Sequence, residues 1–105
     1  MGPNISISEF ALLLRGWSET KRRLRVVLET PAVTFGVFGM VHSADDRGSF
    51  SVAVTGSSMI AVSFAGCVCG FRDTPAEDEV LGERVESGLV AVRSDFSLVV
   101  ILLAE

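Results

Sequence analysis

A chain of 105 residues has the length of one domain and can bury about two thirds of its unfolded surface without disulfide or metal staples. With 49% hydrophobic residues its mean hydropathy is +0.48, yet the longest unbroken apolar run, Leu98 to Ala104, is far short of the ~20 residues that a membrane helix requires. The net charge of −4 and a pI of about 4.9 oppose general nucleic-acid binding, because phosphate contacts need clustered Lys and Arg. We read residues 1–105 as a single β-rich domain. The first residues do not lead from a basic segment into an apolar stretch, so no signal peptide is expected.

Ser6-Ile-Ser-Glu9 has the spacing of a capping box, and Ile7, Phe10, Ala11 and Leu14 recur at helical intervals. The pattern predicts a helix from Ile7 to Arg15, with Gly16 able to end it; continuation to Thr20 would place Trp17 on the same stripe. Arg22 to Thr30 alternates Leu24, Val26 and Leu28 with polar and basic positions, which predicts a half-buried strand closed by Pro31. A second strand is expected over Val33 to His42, with Gly36 and Gly39 marking a bulge or sharp bend. Ser43 to Gly48 reads as a turn.

Phe50-Ser-Val-Ala-Val54 and Ile60-Ala-Val-Ser-Phe64 mirror each other across Thr55 to Met59 and predict a hairpin. A loop of Gly56-Ser57-Ser58 sets Val54 opposite Ile60, Val52 opposite Val62 and Phe50 opposite Phe64, with all six on one face. The second arm is expected to run on past its partner to Phe71, bent near Gly66, with Cys67 and Cys69 on the face opposite Val62 and Phe64. Thr74-Pro75-Ala-Glu77 fits a second capping box, and an ordered acidic loop suits the same stretch. Leu89 to Arg93 and Phe96 to Leu103 read as strands about a turn at Ser94-Asp95. Both faces of the last strand are apolar, so it must be central or lie at a subunit contact.

Five of the nine basic residues, Arg15, Lys21, Arg22, Arg23 and Arg25, fall close together, while six carboxylates lie between Asp73 and Glu86. The asymmetry suggests a basic and an acidic face, with Arg22, Arg23 and Arg25 as the candidate interaction face. Cys67 and Cys69 would sit about 7 Å apart along a strand, the outer limit for a disulfide, and read as buried free thiols of a cytoplasmic protein. With one His42 elsewhere they do not supply four zinc ligands. His42 lies near Ser43 and Asp45, but no spacing forces a nucleophile and base together. The carboxylates Asp45, Asp46, Asp73, Glu77, Asp78 and Glu79 all fall in turns or caps, and Gly36-Val-Phe-Gly39 lacks the helix that a phosphate loop requires. Neither an enzyme nor a cofactor is expected, and the small interior should be filled by Phe35, Phe50 and Phe64.

A short N-terminal helix followed by a bent run of strands, with Val26-Val-Leu28, Gly36 and Asp45 over Arg25 to Asp45, resembles the Sm-like fold. The resemblance covers about a fifth of the chain and implies a rolled barrel with a tendency to form rings by edge pairing. The family's RNA pocket places an asparagine after its aspartate, whereas Asp45 is followed by Asp46-Arg-Gly48; its arginine-glycine pair is replaced by Cys69-Gly70-Phe71-Arg72. No binding residue carries over. The expectation is therefore a mainly β domain, a short helix on a bent antiparallel sheet or small barrel of about five to six strands. It is read as a non-enzymatic interaction or assembly domain that forms a homo-oligomer through apolar strand surface or engages a protein partner. The alternatives are an Sm-like RNA-binding module using Arg22, Arg23 and Arg25, and a regulatory domain that binds a small apolar ligand.

Overall fold

Two short-range signals at the N-terminus set the first element of the computed structural model, which describes residues 4–54, 58–72, 79–80 and 83–104. After a two-residue strand β1 (Asn4–Ile5), Ser6 caps helix α1 (Ile7–Glu19). The Ser6 hydroxyl accepts the N–H of Glu9 at 3.0 Å, and the Ser6 N–H donates to the Glu9 carboxylate at 3.3 Å. The helix does not stop at Gly16. It ends a turn later, where Lys21 takes a left-handed φ of 55°, Lys21 N–H donates to Ser18 and Arg22 N–H to Trp17. This reciprocal closure satisfies carbonyls that the last turn leaves free. Phe10, Ala11 and Leu14 are fully buried, with Ile7, Leu13 and Trp17 packed beside them.

The remaining strands are β2 (Arg23–Glu29), β3 (Thr34–Asp45), β4 (Ser49–Ala53), β5 (Met59–Ser63), β6 (Val68–Phe71), β7 (Glu79–Val80), β8 (Glu83–Arg93) and β9 (Phe96–Leu103). Among the described residues, eight of the strands form one antiparallel sheet in the order β1-β6-β8-β9-β2-β3-β4-β5, with β7 beside β8. The sheet curls into a half-barrel, and its strand count exceeds the expected five to six. Strand β1 and the division of the run from Ile60 to Phe71 make up the difference. That run is not one long bent strand: a turn with Gly66 at φ 76° cuts it, and β5 and β6 go to opposite ends of the strand order. Helix α1 lies along the second half of β3, where Arg15 donates to the Ala44 carbonyl at 2.8 Å and Ser18 to that of His42 at 3.3 Å.

Strand β3 is longer than expected and bulges between Val41 and Ser43, not at its glycines. Gly36 and Gly39 serve close approach instead. A Cβ at Gly36 would meet the Arg25 guanidinium at 2.5 Å, and one at Gly39 would strike the Ala53 carbonyl oxygen.

The hairpin of β4 and β5 keeps the expected face but not the expected partners. Val52 lies opposite Ile60 and Phe50 opposite Val62, a shift of two residues, with the Val54 N–H donating to the Ser58 carbonyl beyond the ladder. A slip of one residue would expose the apolar set, whereas a slip of two leaves every side chain on its own face, so alternation alone does not separate the two registers. Phe64 leaves the ladder and turns into the core, where its ring centroid is 4.5 Å from that of Phe10 and 5.8 Å from that of Phe50. Cys69 is buried in the same cluster as Phe64, with Val62 and Cys67 packed against it, which corrects the expected opposite face.

Strand β9 is central, between β8 and β2. Leu98, Val100 and Leu102 enter the main core, while Ile101 and Leu103 join Val85 in a second cluster with Phe38 and Val99. Both faces are thus covered by the chain itself, so the two-sided apolar pattern needs no subunit contact. Thr74 to Glu77, which fit a second capping box, lie outside the described residues. Of the stretch 74–88, Glu79–Val80 is strand and Glu83 begins β8.

Candidate interaction site

The arginines singled out by their clustering do not share one open basic face. Arg22, just before β2, donates to both Glu86 oxygens at 3.3 and 3.0 Å and to the Leu103 carbonyl at 2.9 Å. Arg23 forms a forked pair with Glu83, and this hydrogen bond, then the carboxylate charge, raises its pKa further. Arg25 stacks over the Phe38 ring at 4.7 Å to the centroid. Arg22 and Arg23 of the basic cluster and Glu83 and Glu86 of the acidic segment therefore form one intramolecular seam, which fastens β8 to the start of β2.

The residues considered for catalysis are likewise separately engaged. The Ser43 hydroxyl bonds that of Ser51 at 2.8 Å, and Asp45 accepts from the Ser49 hydroxyl and the backbone of Arg47 and Ser49. Those bonds, the Ser49 hydroxyl foremost, hold the Asp45 carboxyl below its usual range. His42 is exposed, and its carbonyl receives Ser18. Asp73, Glu77 and Asp78 lie outside the described residues. Among the described residues no three His, Cys, Asp or Glu side chains group as metal ligands. Both cysteines are free; burial pushes the Cys69 thiol up to about 11 and also raises that of Cys67.

A different feature emerges at the mouth of the half-barrel. Val26 and Leu28 of β2, Phe35 and Val37 of β3, Val52 of β4 and Ile60 to Ser63 of β5 line a half-open apolar groove of about 330 Å³. Asp95 of the β8–β9 turn and Phe96 at the start of β9 close one side. The turn is held there by Arg93, which pairs with Asp95, stacks over Phe96 at 4.5 Å and donates to the Ala65 carbonyl at 3.0 Å. The groove exists because the aromatic residues are unevenly placed. Phe50 and Phe64 fill the helix end of the barrel, but Phe35, expected inside with them, is 47% exposed and leaves the mouth open.

The free edge of β5 adjoins this groove. Val54 N–H donates to Ser58 and Phe64 N–H to Gly48, so the alternating antiparallel pattern directs the backbone groups of Ile60 and Val62 toward β4. Those of Met59, Ala61 and Ser63 face outward, beyond the last strand of the sheet. The opposite edge is the two-residue β1. Between Ser49 and Phe71, a stretch that contains β4, β5 and β6, there is no Asp, Glu, Lys or Arg. That local absence of charge is a signal in the sequence for the edge, visible only when charges are mapped along the strands and not summed.

The chain matches no protein-family model, no curated protein and no solved structure. Among the described residues no helix is long and apolar enough to cross a membrane.

Proposed function

We propose that this chain is a non-enzymatic interaction domain that self-associates through apolar strand surface. The supporting observation is the uncovered apolar mouth of the half-barrel, where Phe35 is 47% and Met59 53% exposed beside the groove. Contiguous apolar surface of this kind is what contacts between proteins cover. Ser6 and Glu9 serve a helix cap, Asp45 and Ser49 a turn, and Arg22 and Glu86 an ion pair, an arrangement that supports a structural and not a catalytic use of them. Two free thiols support a reducing compartment, the cytoplasm. Sedimentation of the purified protein tests the reading: a concentration-dependent dimer or higher species is expected, and a clean monomer at high concentration contradicts it.

The groove itself favours a second reading, a regulatory domain for a small apolar ligand. Its volume of about 330 Å³ falls at the lower end of ligand pockets, and barrel mouths are a usual place for them. Thermal stabilisation by a panel of small neutral apolar compounds would support it. An RNA-binding role for Arg22, Arg23 and Arg25 in an Sm-like module draws less support, since Glu86 and Glu83 already engage two of the three.

A further inference from the structure

Edge strands of natural sheets are ordinarily blunted by a lysine, a proline, a bulge or extreme shortness, because bare N–H and C=O groups recruit another strand. At one end of this sheet shortness serves, since β1 has only two residues. At the other end β5 pairs with β4 through five consecutive residues without a bulge, and Met59-Ile-Ala-Val-Ser63 contains neither charge nor proline. Met59 and Ala61 are exposed on the outer side, so nothing among the described residues shields the row of outward groups at Met59, Ala61 and Ser63.

We propose that β5 pairs antiparallel with β5 of a second copy of this chain about a two-fold axis at Ala61. The inference rests on the self-association proposed above and names its site. Three properties of the edge fit a second copy. The outward groups alternate at 59, 61 and 63, so an axis at Ala61 sets Ala61 opposite itself and Met59 opposite Ser63 of the other copy, and every outward donor meets an acceptor. On the concave side the same register puts Ile60 beside Val62 of the other copy, which extends the apolar wall of the groove across the junction. Charge also permits it. Each chain carries −4, but the edge carries none of it, so two copies meet there without like charges in contact. Because the arrangement is isologous it closes at two copies and leaves no growing sheet. A five-residue edge with its flanking groove is smaller than the ~800 Å² per partner of a stable interface, so the dimer is a dissociating one.

Sedimentation velocity of the full chain, from low micromolar to about 500 μM, is read beside Ala61→Lys and Ala61→Glu, each checked for native circular dichroism. Residue 61 is an exposed position at the rim of the groove, so both variants keep the monomer fold, but each places two like charges at the axis. The expected result is a wild-type dimer, association weakened at least about tenfold in each variant, and a dimer restored when the two variants are mixed. Restoration by mixing is an outcome that misfolding cannot produce. A wild-type dimer unaffected by either variant overturns the β5 site and leaves self-association standing. A wild-type monomer across the whole range overturns both.

Discussion

The guanidinium of Arg22 spans the sheet to the carboxylate of Glu86, 3.0 and 3.3 Å from its two oxygens, while donating to the Leu103 carbonyl. The Arg22 side chain is only 14% exposed, so this is a partly desolvated clamp between the start of β2, the end of β9 and the bulged part of β8. Arg22→Ala is expected to lower stability by about 1.5–3 kcal/mol, the range for hydrogen bonds to charged groups, measured as a shift of the urea midpoint. An unchanged midpoint would show that the clamp only decorates a ribbon already held by Val85, Ile101 and Leu103.

The neighbouring Arg23–Glu83 pair is much more open to water, with side chains 58% and 35% exposed. Its contribution should be smaller than that of Arg22 and should fade with added salt. A double-mutant cycle over Arg23 and Glu83 at low and high ionic strength measures this; a coupling insensitive to salt would contradict the solvent-screened picture.

Phe64 is the side chain on which the core turns. It is fully buried although it belongs to no strand, and it joins the helix, through Phe10, to the β4–β5 hairpin, through Phe50. Phe64→Ala should cost about 3–5 kcal/mol, a large part of the stability of a domain this size. Phe64→Leu should cost less because it retains most of the volume. Equal urea midpoints for the two variants would contradict the ring packing.

Much of this architecture is readable from residues. Ser6 and Glu9 announce the helix start by chemistry confined to four positions, and Phe96 to Leu103 announces β9 by a short apolar run behind the turn at Ser94-Asp95. The places that escape such reading share one cause: a local pattern admits two solutions that only distant packing separates. Gly16 can end a helix, yet Trp17 gains burial by continuing it, and Lys21 takes the left-handed position. Val52 can face Val62 or Ile60 without changing face, and the contact of Phe64 with Phe10 accompanies the second solution. The mouth groove escapes for a related reason. Val26, Val37 and Ile60 carry the same apolar signature whether a neighbouring ring covers them or not, and Phe35 covers them incompletely.

Two glycines with positive φ separate backbone strain from crowding. Gly48, at φ 109°, has the Ala65 backbone 2.8 Å from where a Cβ would stand, whereas Gly66, at φ 76°, has only the Arg93 side chain at 3.8 Å. Gly66→Ala should cost about 1–2 kcal/mol, the left-handed penalty alone, and Gly48→Ala more. Thermal unfolding of both variants checks the order, and the reverse order would contradict the turn geometry.

The titrating groups set opposite limits of pH. Asp45 is held below its ordinary 3.8 chiefly by the Ser49 hydroxyl, and Asp95 below the same value chiefly by Arg93. A depressed carboxyl stabilises the fold above its unfolded pKa, so this contribution is complete well above pH 3.8 and is lost as pH falls through and below that value. Cys69, raised from 9.0 to about 11 by burial, stabilises the fold below pH 9.0 and ceases to do so as pH rises toward 11. Stability measured across pH should fall at both ends, with Asp45→Asn flattening the acid limb and Cys69→Ala the alkaline one. Native Cys69 should also resist alkylation at neutral pH until the chain is unfolded.

Self-association through an unblocked β5 edge is tested by mixing Ala61→Lys with Ala61→Glu in the sedimentation cell. The account predicts two monomeric variants that form a heterodimer on mixing. Two variants that sediment like the wild type, alone and together, would contradict it.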